Sequence, residues 1–340
     1  MSRPDRSLTT RLARTTGVLA LSTCLVGTLA ACGSSADAQA GSTGKDGTIY
    51  LVPGLTTHPA YRTMYCGAKA EADKLGLDLE YAGATTWDPS LQIPIVQSLL
   101  AKSPAALLLT PTDGAALAPV VQQYTSADIP VIAMDTTLDD PKGLTSQISS
   151  SNEQGGAAAA DALGEAVGDS GTVAIISGAP GASTDEARVK GFVDRMKSEH
   201  PGLTILEPQF SKSVVATAES QTQALMLKHP DLVGVFGVNG NSATGAANAV
   251  DNGGKKGEIT VAGYDAEPAT VEELKAGNIA ILVVQDFATE GKLGVRYAAA
   301  ALSGDEGEIE KQVALKNVIA TTDNADDLEI SRYFYVDKCS

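Results

Sequence analysis

Residues 105–137, AALLLTPTDGAALAPVVQQYTSADIPVIAMDTT, decide the fold. Ala105–Thr110 is a short, nearly continuous apolar run, the signature of a strand buried on both faces of a parallel sheet. Pro119 to Ala127 has helical period, and Val131–Met134 is a second apolar run that stops at Asp135. Asp113, ahead of the helical stretch, reads as its N-cap. The unit is strand, helix, strand, and it recurs in both directions along the chain. Further runs are Ile49–Val52, Leu77–Tyr81, Thr172–Ser177, Thr204–Leu206, Val233–Val238, Ile259–Tyr264 and Ile279–Val284. Helical stretches fall between them at Pro59 to Leu75, Thr184 to Glu199, Ala216 to Lys228, Ser242 to Asn252 and Ala288 to Leu302. The first of these puts Tyr65, Ala68, Ala72 and Leu75 on one face, with Gly76 as C-cap. Such alternation specifies an α/β fold with parallel sheets. It fits one closed barrel or two doubly wound domains. The polar stretch TSQISSSN, Thr145–Asn152, breaks the pattern near mid-chain and favours two domains, with this segment extended between them.

The N-terminus reads as an export signal. Arg3, Arg6, Arg11 and Arg14 precede an apolar core from Gly17 to Leu29, too short to span a bilayer. Leu29-Ala30-Ala31-Cys32 then resembles a bacterial lipobox, which makes Cys32 the lipidated residue, and Gly33 to Asp46 reads as a flexible tether. No Arg-Arg pair is present, so general secretion is expected. The 340-residue chain carries a net charge of −16; residues 1–31 hold four arginines and one aspartate, so their removal deepens the charge to −19. That acidity argues against nucleic acid as partner. With Cys24 lost and Cys32 lipidated, Cys66 and Cys339 remain, an even pair that an oxidising compartment would join as a disulfide.

In open α/β sheets ligands bind beyond the C-terminal strand ends. There the chain carries His58 and Tyr61, Thr110, Asp135 and Thr136, Asn239, Tyr264 and Asp265, and Gln285. Carboxylates and amides suit vicinal hydroxyls, and tyrosine rings suit the C–H face of a sugar. Trp87, the one tryptophan, follows the second run and is a candidate stacking face or a loop anchor. Enzyme signals are missing: there is no GxSxG, no GxxxxGK[ST] and no paired-cysteine motif, and His58, His200 and His229 are far apart. No metal site and no cofactor is expected.

The blocks HPAYRTMYCGAKAEADKLG, LLLTPTDGAALAPVVQQ, IPVIAMDTT, HPDLVGVFGVNG, VAGYDAEP and ILVVQ follow one another as in bacterial ribose-type solute-binding proteins, the extracytoplasmic receptors of ATP-binding-cassette (ABC) sugar importers. The resemblance runs from about Thr48 to Ile319. It implies two Rossmann-like lobes joined by a three-segment hinge, residues 47–149 with 286–317 in one and 150–285 in the other. Residues 318–340 would return as a tail to the first lobe, pinned by Cys339 to Cys66. It implies a monomer that closes on a sugar or polyol and delivers it to a permease driven by an ATPase, or else presents a small polyhydroxy signal, such as an autoinducer, to a sensor. The family's site maps onto His58, Ala60, Tyr61, Thr110, Asp135, Thr136, Glu186, Ser213, Asn239, Tyr264, Asp265 and Gln285. Thr136 and Glu186 stand where the ribose proteins carry Arg, and Ala60 and Ser213 where they carry Phe. Arg188, of the persisting Arg188-x-x-Gly191-Phe192 motif, is expected to be displaced from the ligand. A roomier, more acidic cleft for a neutral or weakly cationic polyhydroxy ligand follows. A gene regulator built on the same two lobes would need a DNA-binding header where this chain has an export signal.

Overall fold

The structure, a computed structural model, describes residues 47–339. The expectations placed on residues 1–46, including the export signal, Cys32 and the tether, lie outside the described residues. The elements run β1 (Ile49–Val52), α1 (Pro59–Leu75), β2 (Leu79–Tyr81), α2 (Pro89–Leu100), β3 (Ala106–Leu109), α3 (Gly114–Ser126), β4 (Val131–Met134) and β5 (Ser146–Ser150). They continue α4 (Asn152–Val167), β6 (Gly171–Ser177), α5 (Ser183–Glu199), β7 (Leu203–Ile205), β8 (Gln209–Phe210), α6 (Val215–Lys228), β9 (Leu232–Gly237), α7 (Gly240–Asn252) and β10 (Thr260–Tyr264). The last are α8 (Pro268–Lys275), β11 (Ile281–Val284), α9 (Phe287–Ser303), β12 (Gln312–Leu315), β13 (Val318–Thr321) and α10 (Leu328–Ser331).

Two sheets result. The first has the order β12-β5-β4-β3-β1-β2 and is parallel throughout. The second has the order β13-β11-β10-β9-β6-β7, with β8 also on β6, and is parallel except for β13, which runs antiparallel to β11. Their central strands are buried over their whole length, as continuous apolar runs require. The chain passes from one sheet to the other between β5 and α4, between β11 and α9, and between β12 and β13. Asn317 Nδ2 donates to the Ser151 carbonyl at 2.8 Å, which ties the third passage to the first.

Glycine sets how closely the helices on each sheet cross. A Cβ on Gly67 of α1 would meet the Ala288 carbonyl oxygen at 2.0 Å, and one on Gly291 of α9 would meet that of Met64 at 1.9 Å. The pair α4 and α5 repeats the device, with Gly156 against Arg188 at 2.0 Å and Gly191 against Glu153 at 1.9 Å. No side chain fits at either crossing, so backbone packs on backbone.

Several expectations need correction. TSQISSSN is mostly strand β5 of the first sheet, not a free extended connection. Two of its polar side chains bond neighbouring segments, Ser146 Oγ donating to the Glu310 carbonyl and Gln147 Oε1 accepting from the Leu138 amide. Four helices went unread, the last of them the four-residue α10. Helix α2 is apolar on all sides and carries Pro94, α4 is a Gly/Ala run with little polar contrast, and α8 is only eight residues long. Helix α3 begins at Gly114, five residues before Pro119, with Asp113 Oδ1 capping Ala116 N at 2.7 Å. Helix α1 buries Ala60, Tyr61, Met64, Ala68 and Ala72, while Leu75 is exposed and Tyr65 only half-buried. Gly76 does close it, in the left-handed conformation (φ 68°). The tail does not simply return to the first lobe. Its first part, β13, extends the second sheet. Only at its end does Cys339 reach α1, where its sulfur lies 2.00 Å from that of Cys66, with a Cα–Cα distance of 5.2 Å.

Candidate functional site: a buried guanidinium between two lobes

The C-terminal strand ends of the two sheets face each other. From the first come His58 and Tyr61 at the start of α1, Thr110 after β3, and Asp135 after β4. From the second come Asp185 and Arg188 on α5, Asn239 after β9, and Asp265 after β10. Gln285 lies in the second passage between them.

Arg188 is the hub, and it is buried. Its Nε donates to Asn152 Oδ1 at 2.8 Å and its Nη1 to the Val238 carbonyl at 3.2 Å. The same Nη1 lies 3.7 Å from Asp185 Oδ1 and 3.7 Å from Asp265 Oδ2. Its Cζ sits 3.8 Å from the centroid of the Tyr264 ring, a cation–π contact in a water-poor setting. Each acid has further partners. Asp185 Oδ2 accepts from Gly178 N and from Asn239 Nδ2, both at 3.0 Å. Asp265 Oδ1 accepts from Gln285 Nε2 and from the hydroxyl of Tyr335, the latter at 3.1 Å. Within the first lobe Tyr61 donates its hydroxyl to Asp135 Oδ2 at 2.8 Å. His58 Nε2 meets Glu267 Oε1 at 3.1 Å and so joins the lobes directly.

Asp135 and Asp265 share a backbone feature that the sequence did not announce. Both sit at positive φ, 61° and 73°, immediately after a strand. The left-handed conformation is uphill for a side-chain-bearing residue, though Asp bears it better than most. Here it turns each carboxylate from the strand axis into the space between the lobes.

The electrostatics follow from burial. Desolvation pushes the Asp135 carboxyl up to about 6, against the opposing pull of Tyr61 and Arg188. Asp185 is also raised by burial, and Glu290, buried and next to Asp135, is held well above the usual carboxylate range by burial and by Asp135. Burial works against the charged form of His58, but its bond to Glu267 and the charges of Glu267, Asp265 and Asp135 more than offset it, and its pKa is raised. An acid whose folded pKa exceeds its unfolded value of about 3.9 binds protons on folding. Stability therefore rises as pH falls through the window between about 6 and about 4. The His58 contribution is present in full below about pH 6.5 and is lost as pH rises through its elevated folded value, so it acts in the same direction. The ligand-free protein is expected to melt at a higher temperature at pH 5 than at pH 7.5. A melting temperature that falls over that range would overturn these assignments.

Some residues read from the sequence sit differently. Glu186 is exposed on the outer side of α5, with Oε1 accepting from Gly181 N at 2.8 Å. The inward residue is its neighbour Asp185, because one helical residue is a rotation of about 100°. Arg188 is central and not displaced, so the cleft keeps a cation against Asp135, Asp185, Asp265 and Glu267. Tyr264 is fully buried with one face under Arg188, so it supports the guanidinium and does not offer that face to a sugar. Thr136 spends its hydroxyl on the Pro111 carbonyl at 2.6 Å, and Ser213 receives a bond from Asn239 Nδ2 at 3.2 Å. Trp87 stacks on Tyr61 at an interplanar angle of 24° with centroids 6.3 Å apart, and is 42% exposed. Asp185, Asn152, Glu267, Glu290 and Tyr335 were missed. Asp185 had a signal, three residues before Arg188 on one helix face; the others come from distant parts of the chain. Among the described residues, no group of three or more His, Cys, Asp or Glu is placed to hold a metal ion.

The periplasmic binding protein domain matches residues 49–306. The chain belongs to that family. The ribose import binding protein of Salmonella typhimurium is 31% identical over 287 residues, 84% of this chain and 94% of that one. An ABC transporter solute-binding protein from Agrobacterium vitis, solved bound with alpha-D-tagatopyranose, is 36% identical with a TM-score of 0.79, covering 85% of this chain and 99% of that one. A carbohydrate transporter solute-binding protein from Agrobacterium radiobacter, in complex with D-arabinose, is 30% identical with a TM-score of 0.78, covering 85% and 99%. Like these, the family member described here is a solute-binding protein and not an enzyme.

Proposed function

We propose that the protein binds a monosaccharide or polyol between its two lobes and delivers it to the permease of an ABC importer. The observation that carries this is the pair of aspartates at positive φ, Asp135 and Asp265, one on each lobe, with Arg188 against Asp265. A ligand whose hydroxyls donate to both favours the closed arrangement by its differential affinity for it. Thr110 Oγ1 and Gln285 Oε1 are buried with no protein partner and add an acceptor on each side. Trp87 over Tyr61 supplies an aromatic wall for the apolar face of a sugar ring. The relatives named above that bind ribose, tagatose and arabinose support the ligand class.

Working outside the cytoplasm fits the family. The lobe boundaries at 47–149 with 286–317 and at 150–285, the monomeric state, the Cys32 lipid anchor and an oxidised Cys66–Cys339 pair belong to the same reading. An N-terminal peptide that begins at Cys32 with added acyl mass is the check on the anchor. The function is tested by a thermal-shift screen over D-ribose, D-allose, D-arabinose, D-tagatose and simple polyols. At least one is expected to raise the melting temperature by several degrees, in a concentration-dependent way. No shift with any carbohydrate would sink the sugar reading.

A further inference from the structure

The tail makes a fourth passage between the lobes. Tyr335 N donates to the Ala266 carbonyl of the second lobe at 2.9 Å, and the next residue, Val336, donates its N–H to Thr63 Oγ1 of α1 at 2.8 Å. Cys339 then joins α1 at Cys66, 273 residues away in sequence. Its other holds are shallower: Ile330, Tyr333 and Phe334 pack half-buried against the core, and Lys275 Nζ donates to Asp326 Oδ1 at 2.6 Å. Helix α10 buries none of its residues, Leu328 is 85% exposed, and among the described residues beyond Ala325 the one buried is Tyr335. The Tyr335 ring packs edge-on to Phe287 at 5.2 Å, and Phe287 packs edge-on to Tyr61 at 6.1 Å. A row of three rings therefore links the tail, the second passage and α1 beneath the site.

The Tyr335 hydroxyl lands on Oδ1 of Asp265, the atom that also receives Gln285 Nε2, while Oδ2 faces Arg188. Two donors on one oxygen fix the rotation of a carboxylate whose backbone is already in an unfavourable conformation. We infer that Tyr335 is a positioning residue for the ligand site: the disulfide-anchored tail holds it against Asp265, and the Cys66–Cys339 bond thereby sets ligand affinity. This rests on the reading of the cleft as a sugar site. Because Cys339 is exposed and Cys66 half-buried, a reductant has access to the bond in the folded protein.

The test uses the full folded chain and has two arms. In the first, affinity for whichever sugar shifts the wild type is measured by calorimetry for Tyr335→Phe, for the double variant Cys66→Ser with Cys339→Ser, and for wild type with and without a phosphine reductant. Tyr335→Phe keeps the ring contact with Phe287 and removes only the hydroxyl. It is expected to weaken binding about 5- to 10-fold while leaving the ligand-free melting temperature within about a degree. The double variant and the reduced wild type are expected to weaken binding at least as much. In an Asp265→Asn background Tyr335→Phe should add little, since both changes act on one contact. The second arm needs no sugar. Hydrogen exchange of the ligand-free protein is expected to quicken at residues 263–270 on reduction. Unchanged affinity in Tyr335→Phe, or unchanged exchange on reduction, overturns the inference. Failure of the wild type to bind any sugar overturns the functional reading instead, and the exchange arm then decides the tail's role alone.

Discussion

Replacing Arg188 with Ala is expected to abolish sugar binding and to lower stability by about 3–5 kcal/mol, the usual cost of removing one member of a buried ionic cluster. The guanidinium bonds Asn152 and the Val238 carbonyl, covers Tyr264, and among the described residues is the one cation in contact with Asp185 and Asp265. Without it those carboxylates keep only neutral donors, with no positive charge to balance them in a buried setting. Arg188→Lys should rescue little of this. An ammonium cannot serve Asn152 and the Val238 carbonyl through a planar fork while lying flat on a ring. The measurement is a denaturant titration beside a ligand titration. An Arg188→Ala protein within about 1 kcal/mol of wild type would show that the cluster is peripheral.

The second large effect has opposite signs in stability and in function. Asp135→Asn is expected to weaken sugar binding about 100-fold, because a charged acceptor of hydroxyl bonds is replaced by a neutral amide. The same change should leave the ligand-free protein as stable or slightly more so at pH 7.5. Asn Oδ1 still accepts from Tyr61, and the penalty of an ionised carboxylate beside the buried Glu290 disappears. The pH dependence of melting should flatten in this variant as well. If the variant binds sugar like wild type, Asp135 does not contact the ligand; if it is strongly destabilised, the burial account is wrong.

These two predictions differ in how far the sequence led to them. Asp135 was legible because it ends an unbroken apolar run, and a polar residue at the end of a parallel strand points to a ligand. Asn239, Asp265 and Gln285 were legible for the same reason. Arg188 was misplaced. A helical residue's direction depends on where the helix begins and what it packs against, and a one-residue offset exchanges Asp185 for Glu186. The Gly156–Gly191 crossing fixes that rotation, and it is visible only when α4 and α5 are seen in contact.

What the chain determines locally is therefore the alternation of apolar runs and helices, and with it an α/β fold built on parallel strands and a row of polar strand ends. Period and turn chemistry are short-range, so they survive being read one residue at a time. Tertiary structure decided what depends on contacts between distant segments. It decided that TSQISSSN is a strand, because β12 pairs with it from more than 150 residues away. It also decided that β13 runs antiparallel on the second sheet, and that Tyr335 meets Asp265 across 70 residues. A hydroxyl near the chain's end has no local property that marks it for a binding site. Only the packing of the strap against both lobes puts it there.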